Sequence, residues 1–114
     1  MKTEYIPIIT RGSSAKIKVS DVVLIEKENR KLKFITDDDT EYCLYGKMDE
    51  IAPLLDERFY PCMSTCIINL DKVESMEKSI VKFESGRNMI VGRDNFIKTR
   101  QVYNAYLRKL FIPT

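Results

Sequence analysis

Apolar and polar residues alternate with period two through a series of short runs separated by turn-forming residues, and this pattern governs most of the chain. Successive side chains of a strand point to opposite faces, so such alternation marks half-buried strands. The expectation is a mostly β fold made of small antiparallel units. Residues 5–10 and 15–19 read as the first two strands, with Arg11-Gly12-Ser13-Ser14 as the loop between them. Val22-Val23-Leu24-Ile25 is apolar without alternation, as expected of a more buried strand. Residues 31–36 and 41–45 flank Asp37-Asp38-Asp39 as a hairpin.

The period changes after Gly46. Within residues 47–58 the apolar positions 48, 51, 54 and 55 share one helical face, which predicts a short amphipathic helix lying over a sheet. Pro53 lacks a backbone donor, so this helix either kinks or starts late enough to hold Pro53 near its first turn. Strands resume over 62–68. Residues 80–83 then pair with 89–91 across a loop in which Gly86 suits a positive φ. Asp94 is the candidate N-cap of a last helix, which carries Phe96, Tyr103, Leu107 and Leu110 along one stripe and ends before Pro113.

A chain of 114 residues can bury a core but is short for two ordinary domains, so one domain over 1–114 is expected. No stretch approaches the roughly 18 apolar residues of a membrane span, and the acid at Glu4 with no apolar run behind it argues against a secretory signal. A cytoplasmic location follows as the expectation. Three cysteines, Cys43, Cys62 and Cys66, suit small buried apolar side chains better than a disulfide framework. With no histidine, neither a Ser-His-Asp nor a Cys-His arrangement can be built, and a closed Cys/His zinc site cannot be completed. The four glycines are isolated, so there is no Gly-rich phosphate loop. The chain therefore reads as a non-enzyme, with neither cofactor nor metal.

Formal charge is only +2, from 19 basic and 17 acidic residues, so electrostatics matters only if charge is segregated. Acids bunch at 37–41, 49–50 and 56–57, and bases at 27–33 and 98–109. Charge alone fits a basic face opposed to an acidic one and a mixed solvated surface equally well.

One stretch carries more than composition. Arg58, Phe59, Ile67, Ile68, Asn69, Leu70, Val73 and Met76 fall in register with a signature in which an Arg-Phe segment leads to a strand ending in Val-Asn and then to an Ile-x-x-Ile turn. The chain resembles LytTR-type DNA-binding domains over roughly residues 6–100, most strongly over 58–93. This resemblance implies an elongated stack of small antiparallel sheets with one short helix after the first sheet region and a C-terminal helix. It also implies that loop side chains, rather than a recognition helix, enter the grooves of duplex DNA.

By position, the resemblance points to Arg30 and Lys31 after the third strand, to Met63, Ser64 and Thr65, and to Arg93. Arg30 and Lys31 can neutralise phosphates, and Asn29 beside them either meets a base edge or satisfies its own turn. Met63 and Ser64 depart from the family's His-Arg pair. Readout there would rely on short hydroxyl bonds or a thymine methyl, and otherwise Met63 fills a core gap. The planar fork of Arg93 suits a guanine edge or a phosphate, and the alternative is an ion pair with Asp94. Asn69 is expected to hold its turn, and Tyr42, Tyr45, Phe59, Tyr60, Phe83 and Phe96 to be mostly core.

The family usually forms the output end of bacterial response regulators, so the implied role is a transcription regulator, stand-alone or excised, on double-stranded promoter DNA as a homodimer at paired sites. The alternative, motivated by Met63 and Ser64, is an interaction module or antagonist that binds DNA weakly and pairs with another regulator or a membrane protein.

Overall fold

The computed structural model describes residues 4–111. Among these, strands β1 (Tyr5–Ile9) and β2 (Ser14–Lys18) form a hairpin. Strands β3 (Val22–Glu28), β4 (Lys31–Thr36), β5 (Glu41–Tyr45), β6 (Phe59–Met63) and β7 (Cys66–Asn69) build a five-stranded antiparallel sheet in the order β5-β4-β3-β7-β6. Strands β8 (Val73–Glu77), β9 (Ile80–Phe83) and β10 (Asn88–Ile90) make a three-stranded sheet in the order β10-β9-β8. Helix α1 (Met48–Ile51) follows β5, and α2 (Arg93–Phe111) closes the order. The molecule is elongated, with extents of 44 × 32 × 25 Å, in keeping with the expected stack of small sheets.

The five-stranded sheet is covered on both faces, which explains why β3 is apolar without alternation. Ile25, Leu32, Phe34 and Ile67 pack with Ile6, Ile8 and Ile17 of the β1–β2 hairpin and with Ile51 of α1. Leu24, Ile35, Cys66 and Ile68 pack in a second cluster with Val81 and Phe83 of β9 and Tyr103 of α2. A register shift between Val22 and Leu24 on the β4 side accommodates the change of environment along β3.

Several local expectations are corrected. The helix expected over 47–58 is only α1 followed by a one-turn 3₁₀ helix, Ala52–Leu54. Pro53 has no N–H with which to continue the α-helical ladder, and the Leu55 N–H closes the tighter turn onto Ala52 O at 3.1 Å. The single strand expected over 62–68 is a hairpin: β6 and β7 pair through Tyr60–Ile68 and Met63–Cys66, around a turn at Ser64-Thr65. Pro61 lies in the irregular stretch between those pairs, on an edge strand that tolerates its missing donor.

Strand β8 was not anticipated at all. Its hairpin with β9 turns through Lys78 and Ser79, both at positive φ (51° and 66°), a primed turn without the usual Asn-Gly signal. The β9–β10 pairing and the positive φ of Gly86 (97°) are as expected. Helix α2 begins at Arg93, two residues earlier than an N-cap at Asp94 would have it. The Gly92 carbonyl accepts the first helical bond, from Phe96 N at 2.7 Å, and Asp94 lies within the first turn, where a carboxylate faces the positive end of the helix dipole. Along α2 Tyr103 is buried and Phe96 and Leu107 half-buried, but Leu110 is exposed. Pro113 lies outside the described residues. No helix among the described residues is long and apolar enough to cross a membrane.

Candidate nucleic-acid interface

Strand register decides which turns lie together. Glu28 pairs with Lys31, Lys31 with Tyr45, and Glu26 with Cys66, so the turns at Asn29-Arg30 and Ser64-Thr65 and the exit of β5 lie at one end of the five-stranded sheet. The Gly46 N–H donates to Arg30 O at 3.1 Å, and Lys27 N–H to Thr65 O at 2.8 Å, tying these tips together. In the second sheet, the Cys66 thiol meets Met89 Sδ at 3.6 Å, and Met89 pairs with Val81, which pairs with Met76. The Lys78-Ser79 turn therefore lies at this same end. So does Arg93, because Val91 N–H donates to Ser79 O at 2.9 Å and α2 starts two residues later.

Arg30, Lys31, Ser64, Thr65 and Arg93 are all exposed, whereas Met63 is half-buried against the core. Asn29 adopts φ 58°, the conformation its turn requires. Lys31 Nζ lies 5.5 Å from the centroid of the Tyr45 ring. Tyr45 is exposed, not core as expected, and its ring supports a cation at the tip. Arg93 makes no ion pair with Asp94 or with any other described residue.

Lys27, from the basic run over 27–33, stands exposed on these same tips, together with Lys47 and Lys78, which sequence reasoning missed. None forms an ion pair among the described residues. Their position in turns was the available signal, but the shared end was not visible without the register. Of the acids at this end, Glu28 is engaged by Lys33 at 3.4 Å. The helix bases are divided: Arg108 and Lys109 follow Arg93 by four turns, about 22 Å along the axis, so they do not belong to this edge.

The opposite end is acidic and internally neutralised. Asp37 pairs with Lys72 at 2.9 Å, and Asp39 with Arg87 at 2.7 Å. Asp38 accepts from Thr36 Oγ1 at 2.7 Å and from Thr40 N at 3.2 Å, bonds that hold its carboxyl below the usual range. Cations without ion-pair partners thus gather at one end, with Glu77 and Asp94 among them, while Asp37 and Asp39 at the other end are held in ion pairs.

The tips rest on a rigid base. Cys62 and Cys66 are buried beneath the Ser64 turn, and Cys43 is exposed on β5, a departure from the expectation for all three. Contact with the Cys62 thiol, reinforced by burial, pushes the Cys66 thiol far up and keeps it protonated. Asn69, fully buried, donates from Nδ2 to Val22 O at 2.8 Å and accepts from Asp71 N at 2.9 Å, the turn-holding role expected of it.

Residues 12–104 match the model of the LytTr DNA-binding domain. Accessory gene regulator protein A from two strains of Staphylococcus epidermidis is 31% identical over 94 residues, covering 79% of this chain and 39% of that protein. The chain thus spans about two fifths of the length of the curated relatives it matches. In fold, it is similar to the LytTr DNA-binding domain of a Bacillus cereus protein described as a methyl-accepting/DNA response regulator. That match has a TM-score of 0.67 and 18% identity, and covers 94% of this chain and 95% of the other. Signature, sheet architecture and family match agree, and the chain belongs to the LytTR family of DNA-binding domains.

Proposed function

We propose that the chain acts as one unit, a sequence-specific reader of duplex promoter DNA in a bacterial transcription regulator. The observation that carries this reading is the gathering of Arg30, Lys31, Ser64, Thr65 and Arg93, all exposed, on one cation-rich end of the β scaffold. Strand-backed tips of this kind hold side chains in fixed relation while letting them pass between phosphates into a groove. Arg93 and the Ser64 turn read bases, and Arg30 and Lys31 grip the backbone. The polar charge distribution orients the molecule toward a polyanion without requiring a large net charge. A homodimer on paired sites is the arrangement proposed for the bound state.

Binding-site selection from a random duplex pool, followed by retardation assays at two salt concentrations, tests the reading. The expected result is one enriched motif bound with nanomolar, salt-sensitive affinity. A second reading is favoured by the half-buried Met63 and the short Ser64: a LytTR-fold interaction module with little DNA affinity. Failure to enrich any motif, with no retardation even at low salt, would favour that module.

A further inference from the structure

The end that carries the proposed DNA-reading tips also holds a groove of which that reading uses Lys31 alone. It lies between the β1–β2 turn and the exit of β5, encloses about 510 Å³ and is lined by Ile9, Arg11, Gly12, Lys31, Cys43 and Tyr45 among others. One part of its wall is apolar: Ile9 is 65% exposed and Tyr45 73%. The other part is cationic, and neither Arg11 nor Lys31 has an ion-pair partner among the described residues. No carboxylate lines the groove.

The turn bearing Arg11 is held by Thr10 N–H donating to Ser13 O at 2.9 Å and by the Thr10 and Ser13 hydroxyls 3.1 Å apart. Gly12 has open space where a side chain would stand, which leaves the turn backbone approachable. An apolar anchor flanked by two unneutralised cations matches the alternation of a nucleic-acid backbone, with an apolar sugar face between anionic phosphates. Lone surface cations would attract a polyanion, and Tyr45 could support Lys31, but neither would give a use to the exposed Ile9 across the groove. An apolar protein segment would leave both cations without partners.

We infer that this groove takes the sugar-phosphate backbone of one DNA strand just outside the segment read by Ser64 and Arg93, with Arg11 and Lys31 on phosphates and Tyr45 against the intervening deoxyribose. The inference rests on the DNA-binding reading above, and it extends the footprint to one flank of the site.

The test uses the full chain, the selected duplex, and versions of that duplex trimmed by half a helical turn on either flank. Wild-type protein should lose about three- to tenfold in affinity when one flank is trimmed and little when the other is. Arg11→Ala should bind the long duplex that much more weakly, lose the dependence on the trimmed flank, and show a slope of log affinity against log salt shallower by about 1. Tyr45→Ala should lose the same length dependence with the slope unchanged, and Tyr45→Phe should restore it. Arg93→Ala should bind every length more weakly while keeping the length dependence. Wild-type-like binding of all lengths by both Arg11→Ala and Tyr45→Ala, or an effect of these variants on self-association alone, would overturn the inference and leave the DNA-binding reading standing. Absence of any duplex binding by wild-type protein would overturn both.

Discussion

The side chain of Asn69, at the end of β7, donates from Nδ2 to the backbone carbonyl of Val22, at the start of β3, across 2.8 Å in a fully buried setting. With Oδ1 accepting from Asp71 N–H, one amide both joins two strands and sets the turn that sends the chain into the second sheet. Asn69→Ala strands the Val22 carbonyl and the Asp71 donor, and should cost about 2–4 kcal/mol. Urea unfolding should show a lower midpoint with an unchanged slope. Asn69→Asp should be at least as damaging, since a carboxylate cannot donate to Val22. A loss below about 0.5 kcal/mol, the range of ordinary surface substitutions, would contradict this account.

Arg93 and Lys31 are both exposed at the cationic end, but the proposed roles differ. Arg93→Ala should weaken binding to the selected duplex by about 1–3 kcal/mol and relax discrimination at one base pair. Lys31→Ala should weaken binding to matched and scrambled duplexes alike and reduce the salt slope by about 1. Fluorescence titration on both duplexes separates the two outcomes. Identical behaviour of the variants would refute the division of labour.

The thiols are distinguished by burial. Cys43 is exposed, whereas Cys62 and Cys66 are buried and Cys66 is held protonated. An aromatic disulfide reagent at mildly alkaline pH should therefore react promptly with one thiol of the native protein and with the other two only on unfolding. Cys43→Ser should abolish the fast phase. Two or three fast equivalents would show that the base of the Ser64 turn is open.

Tyr106 supplies a titration signature of α2 docking. Burial and the hydrogen bond to Asp71 Oδ1, at 3.0 Å, push its phenol up to about 12. The unfolded value lies near ~10, so the folded state retains a proton that the unfolded state releases. This contribution is fully present below ~10 and is lost as the pH rises through about 12. Absorbance titration of tyrosinate should show a late step that Tyr106→Phe removes, with the slope of stability against pH becoming shallower in the same window.

How much the sequence could tell differs by element. Alternation located β1, β2, β4 and β5 because it is a local consequence of strand geometry, an unbroken apolar run located β3, and the Gly86 loop and the turn role of Asn29 follow from local sterics. The hairpin split at Ser64-Thr65 was hidden because Phe59 to Asn69 is largely apolar and Pro61 interrupts the pattern. Strand β8 escaped because Lys78 and Ser79 are not the residues a primed turn usually selects. Leu110 and Tyr45 matched apolar patterns yet lie exposed, since a periodic pattern marks a face without stating that anything covers it.

The sequence by itself determined most of the strands and their turns, the family signature and the identities of the exposed cations. Only tertiary structure decided that these cations share one end. That end depends on β3 pairing with β7, forty positions away from Glu26 to Cys66, and on the second sheet docking at Met89. Strand formation is written in the steric preferences of neighbouring residues. Which hairpin tips become neighbours is a matter of register between distant segments, fixed when both faces of the central sheet are buried at once.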